Sequence, residues 1–189
     1  MMLAAQLLIL VIAAGLLAAA AGWDLASYTI PNFFPAALIA AYLVFVVVSP
    51  AASAGMKLEI VGWHLLAGLA GLSLGFALFA FGLIGGGDAK LLAAIALWLG
   101  LQPVADSLLL QFGFATALIG GVFAIVLVVL RQYPLPGFLL GQTWIMRLHN
   151  SKAGIPYGVA LAAGAVITPV LAFGGQGSMQ KIISILSSA

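Results

Sequence analysis

Ten charged side chains are spread along 189 residues in such a way that long charge-free runs separate them. None stands before Asp24, none between Asp24 and Lys57, none between Glu59 and Asp88, and none between Asp106 and Arg131. The runs are largely apolar: 65% of all residues are hydrophobic, 5% are charged, and the mean hydropathy is +1.29. A water-soluble domain carries roughly a quarter of its residues charged, and this chain cannot coat a globule that way. Lipid must be the solvent for most of its surface. In lipid every backbone N–H and C=O has to be satisfied within the protein, which leaves helices or a closed barrel. Barrel strands alternate apolar and polar residues, whereas these runs are unbroken. The expected fold class is therefore all-α, a polytopic integral membrane protein of about six transmembrane helices, forming a single domain over residues 1–189.

The scarcity of charge also excludes functions. A net charge of +2, scattered along the chain, does not make a nucleic-acid surface. Without cysteine there is no disulfide and no thiolate metal site. His64 and His149 stand far apart with no acid at ligand spacing, so neither a metal nor another cofactor is expected.

The first apolar run, Met1 to Gly22, lacks the basic start of a signal peptide and exceeds the usual apolar region of one, so it is expected to stay as the first helix. A second helix is expected from Phe33 to about Val48, stopped by Ser49-Pro50, and a third from Ile60 to Ile84, ahead of Gly85-Gly86-Gly87. A short fourth runs from Asp88 to Leu101 and is stopped by Pro103, a fifth runs from about Val104 to Leu130, and a sixth from about Ile155 to Phe173. Within the polar connection from Arg131 to Gly154, residues Gln142 to Asn150 suit a short helix in the membrane interface. The pairs Gly71/Gly75 and the series Gly113/Ala117/Gly121 have the four-residue spacing that lets helices approach closely in lipid.

Lys and Arg in the connections set the orientation. Lys90, Arg131, Arg147 and Lys152 fall on one side, and Lys57 and Lys181 on the other with Glu59 and Asp106. The side with more basic residues is expected to be cytoplasmic, with both termini outside.

Of the four acids, Glu59 lies beside Lys57 in a short loop and reads as solvated, and Asp106 complements a helix N-terminus. Asp24 and Asp88 differ, because each ends or begins an apolar helix on the same expected side. The fourth helix spans roughly 20 Å at 1.5 Å per residue, against a hydrocarbon core of roughly 30 Å. Its shortness would draw Asp88 below the membrane surface and make the glycine triplet irregular backbone at membrane depth. One reading has each acid cap a helix at the interface; the other has the two meet in a functional site. Two carboxyls that meet in a low-dielectric site share one proton, leaving an acid beside a base. The base activates water and the acid hydrogen-bonds a scissile carbonyl, which is aspartyl protease chemistry. Lys90, two residues from Asp88, lies on another helix face and is expected to reach headgroups or substrate.

Three segments then form a recognisable set. Gly85-Gly86-Gly87-Asp88 resembles the GxGD motif of intramembrane aspartyl proteases, and the following Ala-Lys-Leu-Leu-Ala-Ala resembles prepilin peptidases. Asp24 followed by Ile30-Pro31-Asn32 resembles the first aspartate segment of the same family, and Gly154-Ile155-Pro156-Tyr157-Gly158 resembles its last helix opening. The chain is thus similar to the type IV prepilin peptidases, and within them to the short form of Tad pilus systems, the CpaA/TadV group. The resemblance implies Asp24 and Asp88 as the catalytic pair. Around them Gly85 and Gly87 allow close approach of substrate backbone, Pro31 and Pro156 fix loop and helix angles, and Asn32, Lys90, Tyr157 and Gly158 complete the motif set. Longer relatives carry a cysteine-bearing domain and a methyltransferase activity; neither is expected here. Basic residues common between the first aspartate and the Ile-Pro-Asn are replaced by Leu-Ala-Ser-Tyr-Thr.

The substrate implied is a type IV prepilin of the Flp/Tad type, with a basic leader before an apolar helix, cut at the inner face of a prokaryotic cytoplasmic membrane. Its partners would be the pilus or type II secretion-like assembly machinery. Two other readings use the same residues: a small proton-coupled transporter with the aspartates as a relay, and a non-catalytic membrane subunit with interface-capping acids.

Overall fold

Seven α-helices run through residues 2–48, 58–101, 107–151 and 153–173, which the computed structural model describes. They are α1 (Met2–Ser27), α2 (Phe33–Val48), α3 (Leu58–Ala80), α4 (Gly86–Leu99), α5 (Leu108–Leu130), α6 (Thr143–His149) and α7 (Tyr157–Phe173). A 3-10 turn, Gly137–Leu139, lies between α5 and α6, and there is no strand among the described residues. Ser49-Pro50, Lys57, Pro103, Asp106, Lys152 and Lys181, which entered the reading of helix stops and loop charge, lie outside the described residues.

Helix α4 is the axis of the molecule. Its run Leu91-Leu92-Ala93-Ala94-Ile95-Ala96-Leu97-Trp98-Leu99 is apolar all round, and such a helix has no face to give to water. It packs against α3 most extensively and also against α2, α7 and α5. Leu91, Ala94 and Ala96 are completely buried. Contact with α3 is backbone-close: a Cβ on Gly71 would stand 2.7 Å from Ala96 Cβ, and one on Gly75 2.8 Å from Ala89 Cα. The Gly71/Gly75 spacing thus does bring two helices together. On the opposite flank Trp98 donates its indole N–H to the carbonyl of Leu38 at 2.9 Å, joining α4 to α2.

The outer helices carry apolar side chains outward. Leu69 and Phe76 of α3, and Phe114, Val122 and Ile125 of α5, are all more than half exposed. In water such a surface would aggregate; in a bilayer it is the lipid-facing surface. Helices α1, α3 and α5 are long and apolar enough to cross a membrane, while α2 and α7 are shorter apolar helices.

Several expectations are corrected. Helix α1 does not stop at Gly22 but continues to Ser27, because nothing between those residues breaks a helix; Asp24 therefore lies inside it. Helix α3 ends at Ala80 instead of Ile84. There Gly82 adopts φ +71°, and the N–H groups of Gly82 and Leu83 return to the carbonyls of Phe79 and Leu78, which is a Schellman stop. The glycine triplet is not irregular throughout. Gly85 alone is extended, as the residue preceding α4, and Gly86 and Gly87 are already helical. Gly113 and Gly121 meet nothing within 4 Å, so the small-residue series of α5 faces outward. The close contacts with α7 are made one residue earlier in register: Gly120 approaches Ala160, and Thr116 approaches Gly164. The short helix expected over Gln142 to Asn150 is present as α6.

Candidate active site

The connections 28–32 and 81–85 and the segment leading into α7 gather at one end of the bundle. Helix α1 delivers Asp24 there one turn before its end. Tyr28 terminates the helix with its N–H on the carbonyl of Asp24 at 2.7 Å and takes φ +58°, a left-handed conformation that usually falls to glycine. Holding a tyrosine there costs about 1 kcal/mol, and its hydroxyl is buried without a partner. Below it, Arg147 of α6 donates to the carbonyl of Ala26 at 3.2 Å. Arg131 donates to the carbonyls of Leu148 and Gly154 at 2.8 and 2.9 Å, fastening the long connection against the same end.

Asp24 is 3% exposed. One of its oxygens, Oδ2, accepts the backbone N–H of Gly158 at 2.8 Å, from the first turn of α7. Helix N-termini leave such N–H groups without intrahelical partners, so α7 is aimed to hold a carboxylate. Asp88 is 7% exposed, in the first turn of α4. Its Oδ2 accepts the N–H of Gly85 at 3.0 Å, while Oδ1 is buried with no hydrogen-bond partner. The first bond is a helix cap made from the third position; the second oxygen has no structural task. Both carboxyls stand at this end of the bundle, Asp24 in the last turn of α1 and Asp88 in the first turn of α4.

Ile30 joins the two halves. A Cβ on Gly87 would stand 2.8 Å from the Ile30 carbonyl oxygen and 2.9 Å from its Cβ. A Cβ on Gly158 would stand 2.6 Å from Ile30 Cδ1 and 2.8 Å from Asp24 Oδ2. Both glycines are thus required for space, and one buried isoleucine touches the segments of both acids. By contrast, a Cβ on Gly86 would meet only the Phe79 ring, at 3.6 Å.

The remaining motif residues divide. Pro31 accepts the N–H of Phe34 and Asn32 that of Ala36, opening α2. Lys90 donates to Asn32 Oδ1 at 2.7 Å. That contact ties its ammonium to the neighbouring loop and not to Asp88. Pro156 is buried immediately before α7, and Tyr157, half-buried, is the first residue of that helix. Sequence reading used Ile30 only as part of a motif. Its signal was the one aliphatic side chain in the short connection Tyr28–Asn32.

Two other features do not belong to this end. His64 hydrogen-bonds the Leu97 carbonyl through Nδ1 at 2.8 Å and stacks on Tyr42, far along α4 from Asp88. An apolar crevice lined by Leu10, Leu17, Ile95, Trp98, Ala165 and Pro169 contains no ionisable side chain.

Buried acids at one end of an all-helical membrane bundle narrow the chemistry; the family is decided by comparison. A sequence model of the type IV leader peptidase family matches residues 10–129. The chain belongs to that family. The match includes both Asp24 and Asp88 and ends ahead of the Pro156-Tyr157-Gly158 segment, which completes the site in space but not in the matched stretch. No curated protein and no solved structure gives a match. A type IV leader peptidase is a protease, and the apolar surface described above makes this one a membrane protein.

Proposed function

We propose that the chain is an intramembrane aspartic endopeptidase of the GxGD type, removing the basic leader from type IV prepilins of the Flp/Tad kind at the cytoplasmic face. The observation that carries this reading is the pair of buried acids, Asp24 and Asp88, at one end of the bundle, with Ile30 packed against Gly87 beside one and against Gly158, the donor to the other. Membership of the leader peptidase family supplies the reaction class.

In this reading the pair holds one proton between its two carboxyls. The ionised carboxylate takes a proton from water as the water oxygen bonds to the scissile carbonyl carbon. The protonated partner gives its hydrogen to the carbonyl oxygen, forming a neutral gem-diol. Collapse breaks the C–N bond: the amine leaves with a proton from the pair, and a diol hydroxyl returns one. The leader's new carboxylic acid and the mature N-terminus are the products. No metal, thiol or cofactor takes part in these steps. The unpartnered Oδ1 of Asp88 supports this reading, since a buried oxygen with no structural bond is available to water or substrate.

Six crossings with both termini outside would put Lys90, Arg131 and Arg147 on the cytoplasmic side, following the bias of basic residues toward that side. There the acids would face a prepilin leader of opposite charge. The assembly machinery that takes the mature pilin would be the partner downstream.

The test is processing of a type IV prepilin in membranes containing wild type, Asp24→Asn or Asp88→Asn at equal protein level. Each change is expected to abolish cleavage while insertion and thermal stability are kept. Normal processing by either variant defeats the dyad. Loss of proton flux without any cleavage by wild type would instead support the transporter reading.

A further inference from the structure

The connection between α1 and α2 is only Tyr28 to Asn32, yet it touches every segment of the site. Ile30 is the point of contact, packed against Gly87 on one side and on the other against Gly158, which also borders Asp24. Gly87 immediately precedes Asp88, and Gly158 is the donor to Asp24. The position of Ile30 therefore fixes where both carboxylates stand. What fixes Ile30 in turn is the loop's two ends. At one, the Tyr28 N–H is bound to the Asp24 carbonyl. At the other, Asn32 Oδ1 accepts from Lys90 Nζ at 2.7 Å, an ammonium on the same helix as Asp88.

We propose that the Lys90–Asn32 hydrogen bond is a latch closing this connection over α4, so that Ile30 stays wedged between Gly87 and Gly158 and the two aspartates keep their mutual geometry. Lys90 is then a positioning residue that acts through Asn32 and Ile30 without touching substrate. The inference rests on the dyad reading above and adds a residue pair to it.

The arrangement favours this over two alternatives. Lys90 and Asp88 are two residues apart on one helix, on different faces, and the ammonium is bound to Asn32 and not to the acid. A lysine that served the leader directly would present a positive charge to a positively charged segment. Both latch side chains are exposed while Ile30 is 6% exposed. The bond thus sits at the rim and the wedge beneath it, as a closure requires.

The experiment uses the full chain in proteoliposomes with a purified Flp-type prepilin as the probe, measuring kcat and KM. Lys90→Met, Asn32→Leu and the double variant are each expected to lower kcat about tenfold with KM within about twofold, the double variant being no worse than either single one. The wild-type chain has no cysteine, so Asn32→Cys/Lys90→Cys can be bridged with a short bifunctional thiol reagent. Bridging is expected to restore most of kcat, whereas capping each thiol separately is not. Additive losses, a rise in KM at unchanged kcat, or equal activity of bridged and capped protein would overturn the latch. Failure of the dyad reading shows differently: Asp24→Asn or Asp88→Asn would then still cleave the same prepilin.

Discussion

The N–H of Gly158 donates to Asp24 Oδ2 at 2.8 Å across 134 residues of sequence, tying the first turn of α7 to the last turn of α1. Two apolar helices far apart in sequence are thereby referenced to one carboxylate. An N–H to carboxylate bond in a low-dielectric site is among the stronger hydrogen bonds a protein makes. It also directs Asp24, whose orientation would otherwise depend on side-chain rotamers alone.

From this contact follows the first prediction. Gly158→Ala puts a methyl group 2.6 Å from Ile30 Cδ1 and 2.8 Å from the acceptor oxygen itself, so the Ile30 and Asp24 side chains or α7 must shift and the bond to Asp24 is disturbed. Overpacking of this kind costs about 1–3 kcal/mol. Prepilin cleavage is expected to fall by about tenfold or more, with the protein still inserted. Gly154→Ala, where a Cβ meets nothing within 4 Å, is expected to leave cleavage unchanged. Rates measured side by side in membranes check both.

The glycine triplet gives a sharper contrast. At Gly87 a Cβ would stand 2.8 Å from a backbone oxygen of Ile30, and backbone cannot rotate aside as a side chain can. At Gly86 the nearest atom is a Phe79 ring carbon at 3.6 Å, an ordinary contact. Gly87→Ala is expected to reduce cleavage about tenfold or more, and Gly86→Ala to leave it within about twofold while raising stability by up to about 1 kcal/mol, through helix propensity. Equal effects of the two would remove Ile30 as the reason for glycine at this place.

These contacts show which parts of the molecule could be read in the sequence. The start of helix α2 was legible, because Pro31-Asn32 precedes it and an unbroken apolar run follows. The end of α1 was not, since its stop is a conformation of Tyr28 and no breaker residue marks it. In lipid both sides of a helix are apolar, so the interval between small residues is visible but the face they occupy is not. That is why Gly71 and Gly75 were placed correctly while Gly113 and Gly121 point outward and Gly120 makes the contact. Asp24 and Asp88 stood out because so few other charges exist. The Lys90–Asn32 bond and the wedge of Ile30 depend on how three separate segments meet, and no local pattern encodes that.

The α3–α4 interface tests the packing side of the same point. Gly71→Val and Gly75→Val would drive branched side chains into Ala96 and Ala89, where even a Cβ stands at 2.7 and 2.8 Å. Because α4 carries Asp88 at its start, separation of the two helices moves the site as well as weakening the fold. Each variant is expected to lose about 2 kcal/mol or more of stability and most of its cleavage, whereas Gly113→Val, with nothing within 4 Å, is expected to keep both. Thermal denaturation in detergent, read beside prepilin processing, separates the outcomes.

The last prediction concerns which way the bundle faces. Arg131, Arg147 and Lys90 stand at the end that carries Asp24 and Asp88, and basic residues are retained on the cytoplasmic side during insertion. The absence of cysteine makes the test clean, because a single introduced thiol has no competitor. Ser151→Cys and Gly141→Cys, in the connection fastened by Arg131, are exposed positions away from the proposed dyad. A membrane-impermeant maleimide is expected to label both in inside-out vesicles and neither in intact cells. Ser53→Cys, between α2 and α3 in sequence, is expected to show the opposite pattern. Labelling of Ser151→Cys from outside the cell would turn the site toward the outer face, where a leader still held in the cytoplasm could not reach it.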